Sequence, residues 1–199
     1  MAIVDLMSAP VSAGLFSTRV LLTCAALAVA HLLLHLSTVP LLTTLAPLAP
    51  PAYALVAGAH SVMPFLARRV TGVVGSAIVT SGIAALLVIP SSSSGFIAAI
   101  PVLLAGVTID LMLWRPASTK HREVRYLAAA AVTAIVLWAV SLAVFSPAHL
   151  TPMIIIGTLG GRLGGELLAV VLSRILASAL SRAGIGGRRH PSDQSSPAS

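Results

Sequence analysis

The chain has 199 residues, of which 57% are hydrophobic and 9% charged. This leaves too little polar surface to coat a soluble globule, so the composition indicates an integral membrane protein. The formal charge of +7 comes from basic residues in short stretches between apolar runs, with no basic face of the kind that binds nucleic acid. The single cysteine excludes an intramolecular disulfide, and no Cys/His cluster has the spacing of a zinc site.

Six apolar segments are predicted to cross the lipid bilayer as helices, which makes the fold class all-α and polytopic. Residues 1–18 are expected to form an N-terminal leader, and residues 186–199, rich in Pro and Ser, a disordered cytoplasmic tail. Residues 19–185 then form one six-helix transmembrane domain that binds the substrate. The six segments are about 20–36, 52–67, 70–89, 96–113, 125–145 and 157–185.

The stretch between the first and second segments contains four prolines and no charged residue. Because proline removes a helical hydrogen bond, residues 37–51 suit an outer loop or a broken half-helix better than a regular span.

The basic residues fix a predicted orientation, because Lys and Arg favour the cytoplasmic side. In a six-span arrangement nearly all of them fall on one side, so both termini and the loop 115–123 are predicted to be cytoplasmic. Ser91–Ser94 and Ser146–His149 are then predicted to face outward. Arg174 lies near the inner end of the last segment and can extend to the surface. Arg162 is the exception: it falls on the opposite side from the other basic residues, so its position needs an explanation.

The last segment carries Arg162 and Glu166 one helical turn apart, with Arg162 predicted at the outer face of the bilayer and Glu166 about one turn inside it. An ionisable pair at that depth is costly and is therefore a candidate site. In one interpretation the two residues only pair with each other; in the other, Glu166 accepts a hydrogen bond from a substrate and Arg162 holds an anionic or carbonyl group. The four glycines around them make room for a ligand or for a tight helix crossing.

Two aromatic residues near the predicted outer ends of their segments, Tyr53 and Trp138, complete the candidate substrate-binding set. Either can stack on a planar ring, or it can lie in the core or at the lipid interface. Asp110 is expected to form a structural ion pair with Arg115 or with the Arg68 and Arg69 pair.

His31 and His35 share one helix face at a spacing that suits two metal ligands. No further ligand is evident in the sequence. Polar packing near the outer leaflet, or the lining of a cavity, is therefore preferred for both histidines, and no metal site is predicted.

Three local motifs give the chain a family resemblance. The first segment contains Ala26 and Ala30 in a small-xxx-small pattern, the third opens with residues 68–72 (RRVTG), and the last ends with residues 180–185 (LSRAGI). In this order they resemble the substrate-binding S components of energy-coupling factor (ECF) vitamin transporters. The second and third motifs are similar to the YkoE-like branch, which is associated with thiamine or its hydroxymethylpyrimidine precursor.

The resemblance implies a multi-pass protein of the bacterial plasma membrane that captures a small vitamin or vitamin precursor. It implies docking through Ala26 and Ala30 on a transmembrane T subunit, which works with two ATP-binding-cassette ATPases. The sequence contains no phosphate-binding loop, and no enzymatic activity or cofactor is predicted. A stand-alone secondary transporter, a membrane enzyme and a membrane scaffold or assembly protein are the alternatives.

Overall fold

A computed structural model describes residues 17–92, 95–115, 121–142 and 151–184. The described chain is all-helical and has no β-strand, which confirms the predicted fold class at this level. The predicted leader and tail, the segment Ser146–His149 and most of the loop 115–123 lie outside these ranges. The helices are α1 (Thr18–Leu48), α2 (Pro50–Gly58), α3 (Val62–Thr71), α4 (Ser76–Val88), α5 (Phe96–Met112), α6 (Arg122–Leu142) and α7 (Pro152–Arg182).

Within the described ranges, three helices are long and apolar enough to cross a membrane. They are α1 with 31 residues, α6 with 21 and α7 with 31. The apolar helices α4 and α5 are shorter, and α2 and α3 are separated by the short 3-10 turn Ala59–Ser61. The helices are thus compatible with a membrane protein, while the count of six spans and the orientation of the termini stay predictions.

The first helix is longer than the sequence predicts. A loop or broken half-helix is expected over residues 37–51, whereas α1 continues to Leu48 with Pro40 and Pro47 inside it. This prediction is wrong because isolated prolines each remove only one helical hydrogen bond, and neighbouring hydroxyls can compensate in an apolar helix. Pro40 and Pro47 leave only the carbonyl oxygens of Leu36 and Thr43 without their usual backbone donors, and the helix continues past both.

The chain reverses at Ala49, between α1 and α2. Its backbone leaves the helical region, with φ −148° and ψ 73°. Pro50 and Pro51 then occupy the first positions of α2. Backbone N–H groups at these positions have no intrahelical acceptor, so proline removes no helical hydrogen bond there. The reversal directs α2 back into the bundle, where its most extensive contact is with α7.

Glycines allow α2 and α7 to cross with their backbones in contact. A Cβ atom added to Gly58 would lie 2.7 Å from the Cα atom of Gly165, and one added to Gly161 would overlap the carbonyl oxygen of Pro51. Gly165 approaches the carbonyl oxygen of Leu55 in the same way. Of the two roles expected for these glycines, the structure therefore shows the tight helix crossing.

Arg68 and Asp110 form a buried ion pair near the C-terminal ends of α3 and α5. Their closest atoms, Nε and Oδ1, are 3.4 Å apart. Arg68 also donates to the carbonyl oxygen of Leu113 at 2.7 Å, and Asp110 accepts from the backbone N–H of Ile78 at 2.8 Å. The ion pair expected for Asp110 is present, and its additional hydrogen bonds offset part of the cost of burying two charges.

Arg69 joins α3 to α6 and α7 beside this pair. Its guanidinium group donates to both carboxylate oxygens of Glu123 at 2.9 Å and lies 3.8 Å from the ring centroid of Tyr126. It also donates to the hydroxyl of Ser173 at 3.0 Å. Arg125 of α6 donates to the carbonyl oxygen of Met112 at 3.0 Å, so basic residues from α3 and α6 are gathered at the end of the bundle where α3 and α5 end and α6 begins.

Candidate functional site

Arg162 and Glu166 lie on the buried side of α7. Their side chains are 5% and 0% exposed, respectively. The buried positions of this helix recur every three or four residues, which is the spacing of one helix face, and they include Thr158, Ala169 and Ser173. The sequence thus places one cation and one anion on the face that packs against the rest of the bundle.

The two charged side chains do not form an ion pair with each other. Among the described residues, the ion pairs within 4.0 Å are Arg68 with Asp110 and Arg69 with Glu123. Glu166 Oε1 instead accepts a hydrogen bond from the Ser61 hydroxyl at 2.8 Å. Arg162 Nε and Glu166 Oε2 are buried with no hydrogen-bond partner.

Three of the four predicted substrate-binding residues surround one small cavity. Its volume is about 10 Å³, enough for roughly one water molecule. Trp138 is held in place by its indole N–H, which donates to the carbonyl oxygen of Ile155 at 3.1 Å. Glu166, the fourth of these residues, lies one turn beyond Arg162 on α7. The lining residues are Tyr53, Ala54, Trp138, Ser141, Thr158 and Arg162.

An open apolar groove of about 550 Å³ adjoins this cavity. It is formed by the end of α1, the start of α2 and the first turns of α7. On α2 the groove is lined by Pro51 and the cavity by Ala54, one turn later; on α7 the groove is lined by Gly157 and the cavity by Thr158. The volume of the groove is in the range of small-molecule sites, and the cavity is lined by residues that follow those of the groove along α2 and α7.

A cluster of three histidines lies next to the 3-10 turn. The rings of His31 and His35 meet the ring of His60 edge-on, with centroid separations of 5.5 and 5.7 Å. The Thr38 hydroxyl oxygen lies 2.8 Å from the Leu34 carbonyl oxygen. The same hydroxyl oxygen lies 2.8 Å from His60 Nε2. The tautomer of the His60 ring sets which of the two groups donates in this second bond.

Sequence reasoning gave no role to His60 or Ser61. The signal that was available is a pair of adjacent polar residues in the middle of the apolar segment 52–67. His60 lies between His31 and His35, so the three rings do not converge on one point. In the part of the chain that the structure describes, no group of three His, Cys, Asp or Glu side chains is placed to hold a metal ion.

The two alanines predicted to dock a partner lie away from the buried side of α1. Ala26 is exposed and Ala30 is half-buried. The residues of α1 that pack inside the bundle are Cys24, Ala28 and His31. Ala26 is therefore accessible to another helix, whereas Ala28 belongs to the internal packing.

The chain matches no protein-family model, no curated protein and no solved structure.

Proposed function

We propose that this chain is the substrate-binding membrane subunit of an ATP-driven ECF-type importer. Its ligand is a small vitamin-like molecule, bound by Arg162 and Glu166 with Tyr53 and Trp138 beside them. The observation that carries the proposal is the burial of a cation and an anion one turn apart that do not pair with each other. A ligand with complementary polar groups would satisfy both.

Burying a charged side chain in an apolar interior costs free energy. A guanidinium or carboxylate group transferred from water to an apolar interior loses several kcal/mol of solvation unless other groups replace the water. Each of the two pairs has atoms without a hydrogen-bond partner, but Arg68 and Asp110 recover part of the loss through an ion pair, whereas Arg162 and Glu166 form none within 4.0 Å. Groups that carry such a cost without a structural return are candidates for binding.

The proposed membrane topology has six spans with both termini in the cytoplasm. The spans are α1, the pair α2 and α3, α4, α5, α6 and α7. The gathering of Arg68, Arg69 and Arg125 at one end of the bundle supports this arrangement. The groove is at the opposite end, which would face the outside of a bacterial plasma membrane.

The proposed partners are a transmembrane T subunit and two ATP-binding-cassette ATPases. The exposure of Ala26 supports docking on the T subunit, because a helix can approach a small side chain closely without a clash. The sequence resemblance favours a thiamine-related ligand. In the family the S component topples in the membrane when docked, and the same movement is part of this proposal.

One observation favours a stand-alone secondary transporter as the second candidate. Transporter sites are often built where a membrane helix is interrupted. Here the 3-10 turn between α2 and α3 contains Ser61, whose hydroxyl donates a hydrogen bond to Glu166. Uptake into proteoliposomes that contain only this chain separates the candidates. The second candidate predicts uptake without ATPases, whereas the proposed subunit predicts binding without uptake.

The binding experiment uses the purified full chain in detergent and a panel of vitamins that includes thiamine and its pyrimidine precursor. For the compound that binds most tightly, Arg162→Gln and Glu166→Gln are expected to raise Kd about ten- to a hundred-fold, the loss of one or two charge-assisted hydrogen bonds. Arg174→Gln is the matched control, because Arg174 lies on the same helix but is exposed. Unchanged affinity in both site variants would contradict the proposal.

A further inference from the structure

The groove and the small cavity follow each other along two helices. Along α7 the groove ends at Gly157 and the cavity begins at Thr158, and Arg162 follows one turn deeper. The walls of the groove come from the end of α1, the start of α2 and the start of α7, and none of its lining residues is polar or charged. A molecule lying there meets an apolar surface first and the polar cavity at its inner end.

Arg162 is the first ionisable side chain on α7 beyond the groove. It lines the cavity, it is 5% exposed, and its Nε has no hydrogen-bond partner. Glu166 is one turn deeper, does not line the cavity, and accepts a hydrogen bond from Ser61. The charge nearest to the groove is therefore positive, and a planar guanidinium group recognises carboxylates through charge-assisted hydrogen bonds.

We infer that the ligand class of this site is a compact apolar molecule that carries a single carboxylate. The apolar body lies in the groove of about 550 Å³, and one carboxylate oxygen occupies the cavity of about 10 Å³ beside Arg162. The inference rests on the proposed function for the existence of a ligand site. It departs from the thiamine-related ligand favoured by the resemblance, because thiamine is a cation.

Charge decides the expected order of affinity among ligands with the same body. A carboxylate is attracted to Arg162, which lines the cavity, and replaces the solvation that the guanidinium group has lost; Glu166 opposes this attraction, but it does not line the cavity and lies one turn deeper on α7. A neutral amide supplies a weaker acceptor, and an ammonium group is repelled by the like charge. The expected order is therefore carboxylate, then amide, then amine.

The test uses two sets of probes that differ only in the polar group. One set is indole-3-acetate, indole-3-acetamide and tryptamine; the other is benzoate, benzamide and benzylamine. Kd is measured by calorimetry on the full chain in detergent. We expect at least about a tenfold preference for one carboxylate over its amide, the difference of one charge-assisted hydrogen bond. Arg162→Gln should remove this preference.

The groove is tested with Ala49→Trp, which adds bulk to one of its lining residues. This variant should weaken binding of the carboxylate about tenfold or more, since it occupies the volume needed by the apolar body. Leu86→Trp is the matched control, because Leu86 is exposed on α4 and does not line the groove. Melting temperatures of both variants show whether each has kept its fold.

Three results overturn the inference: no carboxylate binds at millimolar concentration, the three members of each set bind equally, or the preference survives Arg162→Gln. If thiamine binds and its affinity depends on Glu166 while the carboxylates do not bind, the inference is wrong and the proposed function stands. If every compound that binds does so regardless of Arg162 and Glu166, both are wrong.

Discussion

The Ser61 hydroxyl donates a hydrogen bond of 2.8 Å to Glu166 Oε1 from a position 105 residues earlier in the chain. Both side chains are buried, and the bond ties the 3-10 turn to the middle of α7. The hydrogen bond that holds Glu166 therefore comes from a neutral donor, and the carboxylate forms no direct ion pair with Arg162.

Removing this donor is expected to destabilise the bundle. Ser61→Ala leaves both buried carboxylate oxygens without a partner, which should lower the free energy of unfolding by about 1–3 kcal/mol. The measurement is denaturant unfolding of the purified chain in detergent. Ser37→Ala is the control, because Ser37 is exposed on α1 and bonds only within its own helix. Equal stability of Ser61→Ala and Ser37→Ala would show that the bond contributes nothing.

Two neighbouring glycines of α7 should respond in opposite ways to the same substitution. Gly161→Ala places a Cβ atom against the carbonyl oxygen of Pro51, so α2 and α7 must separate at a cost of about 1–3 kcal/mol in the free energy of unfolding. Gly160 has open space at its Cβ position, and Gly160→Ala should be neutral or stabilise the helix by up to about 1 kcal/mol. Thermal unfolding of the two variants makes the comparison. A more damaging effect at Gly160 would contradict the observed crossing.

The two ion pairs at the basic end should differ in strength because they differ in burial. Asp110→Asn leaves the buried Arg68 without its counter-ion and should cost about 3–5 kcal/mol in the free energy of unfolding. The Glu123 side chain is 43% exposed, so water can replace part of its interaction, but Arg69 is 4% exposed and binds both carboxylate oxygens; Glu123→Gln should therefore cost about 1–3 kcal/mol, less than Asp110→Asn. Unfolding in detergent at constant ionic strength measures both. A larger loss of unfolding free energy for Glu123→Gln than for Asp110→Asn would contradict this expected order.

The orientation is tested with single cysteines in a Cys24→Ser background. Ser91→Cys and His121→Cys introduce thiols at two exposed positions between helices. We expect a membrane-impermeant maleimide applied to intact cells to label position 91 and not position 121, because the basic end should remain in the cytoplasm. Inside-out vesicles should give the reverse pattern. Labelling of position 121 alone in intact cells would invert the proposed topology.

The sequence was sufficient to find the charged groups of the site but not their partners. Arg162 and Glu166 stand out because ionisable residues are rare in an apolar helix. For Asp110 the sequence left Arg115 and the Arg68 and Arg69 pair as possible partners, and the structure shows Arg68. Ser61 could not be found in this way, since its contact with Glu166 depends on a 3-10 turn that interrupts an apolar run. Hydrophobic periodicity does not reveal such a turn.

Other local features were ambiguous because they depend on tertiary contacts. Residues 37–48 contain two prolines and were expected to leave the helix, yet an uncharged apolar segment tolerates both. The glycines near Arg162 were compatible with a ligand space or a helix crossing. The choice between them required the position of α2, which no local pattern provides.

The central claim is that Arg162 and Glu166 are kept for a ligand at a cost in stability. The most direct measurement is the unfolding free energy of the double variant Arg162→Met/Glu166→Leu, without ligand, beside its ligand binding. Apolar residues of similar size remove two buried charges, so the account predicts a gain of about 1–4 kcal/mol together with complete loss of binding. A double variant that unfolds more easily than the parent chain would contradict the claim and make both residues structural.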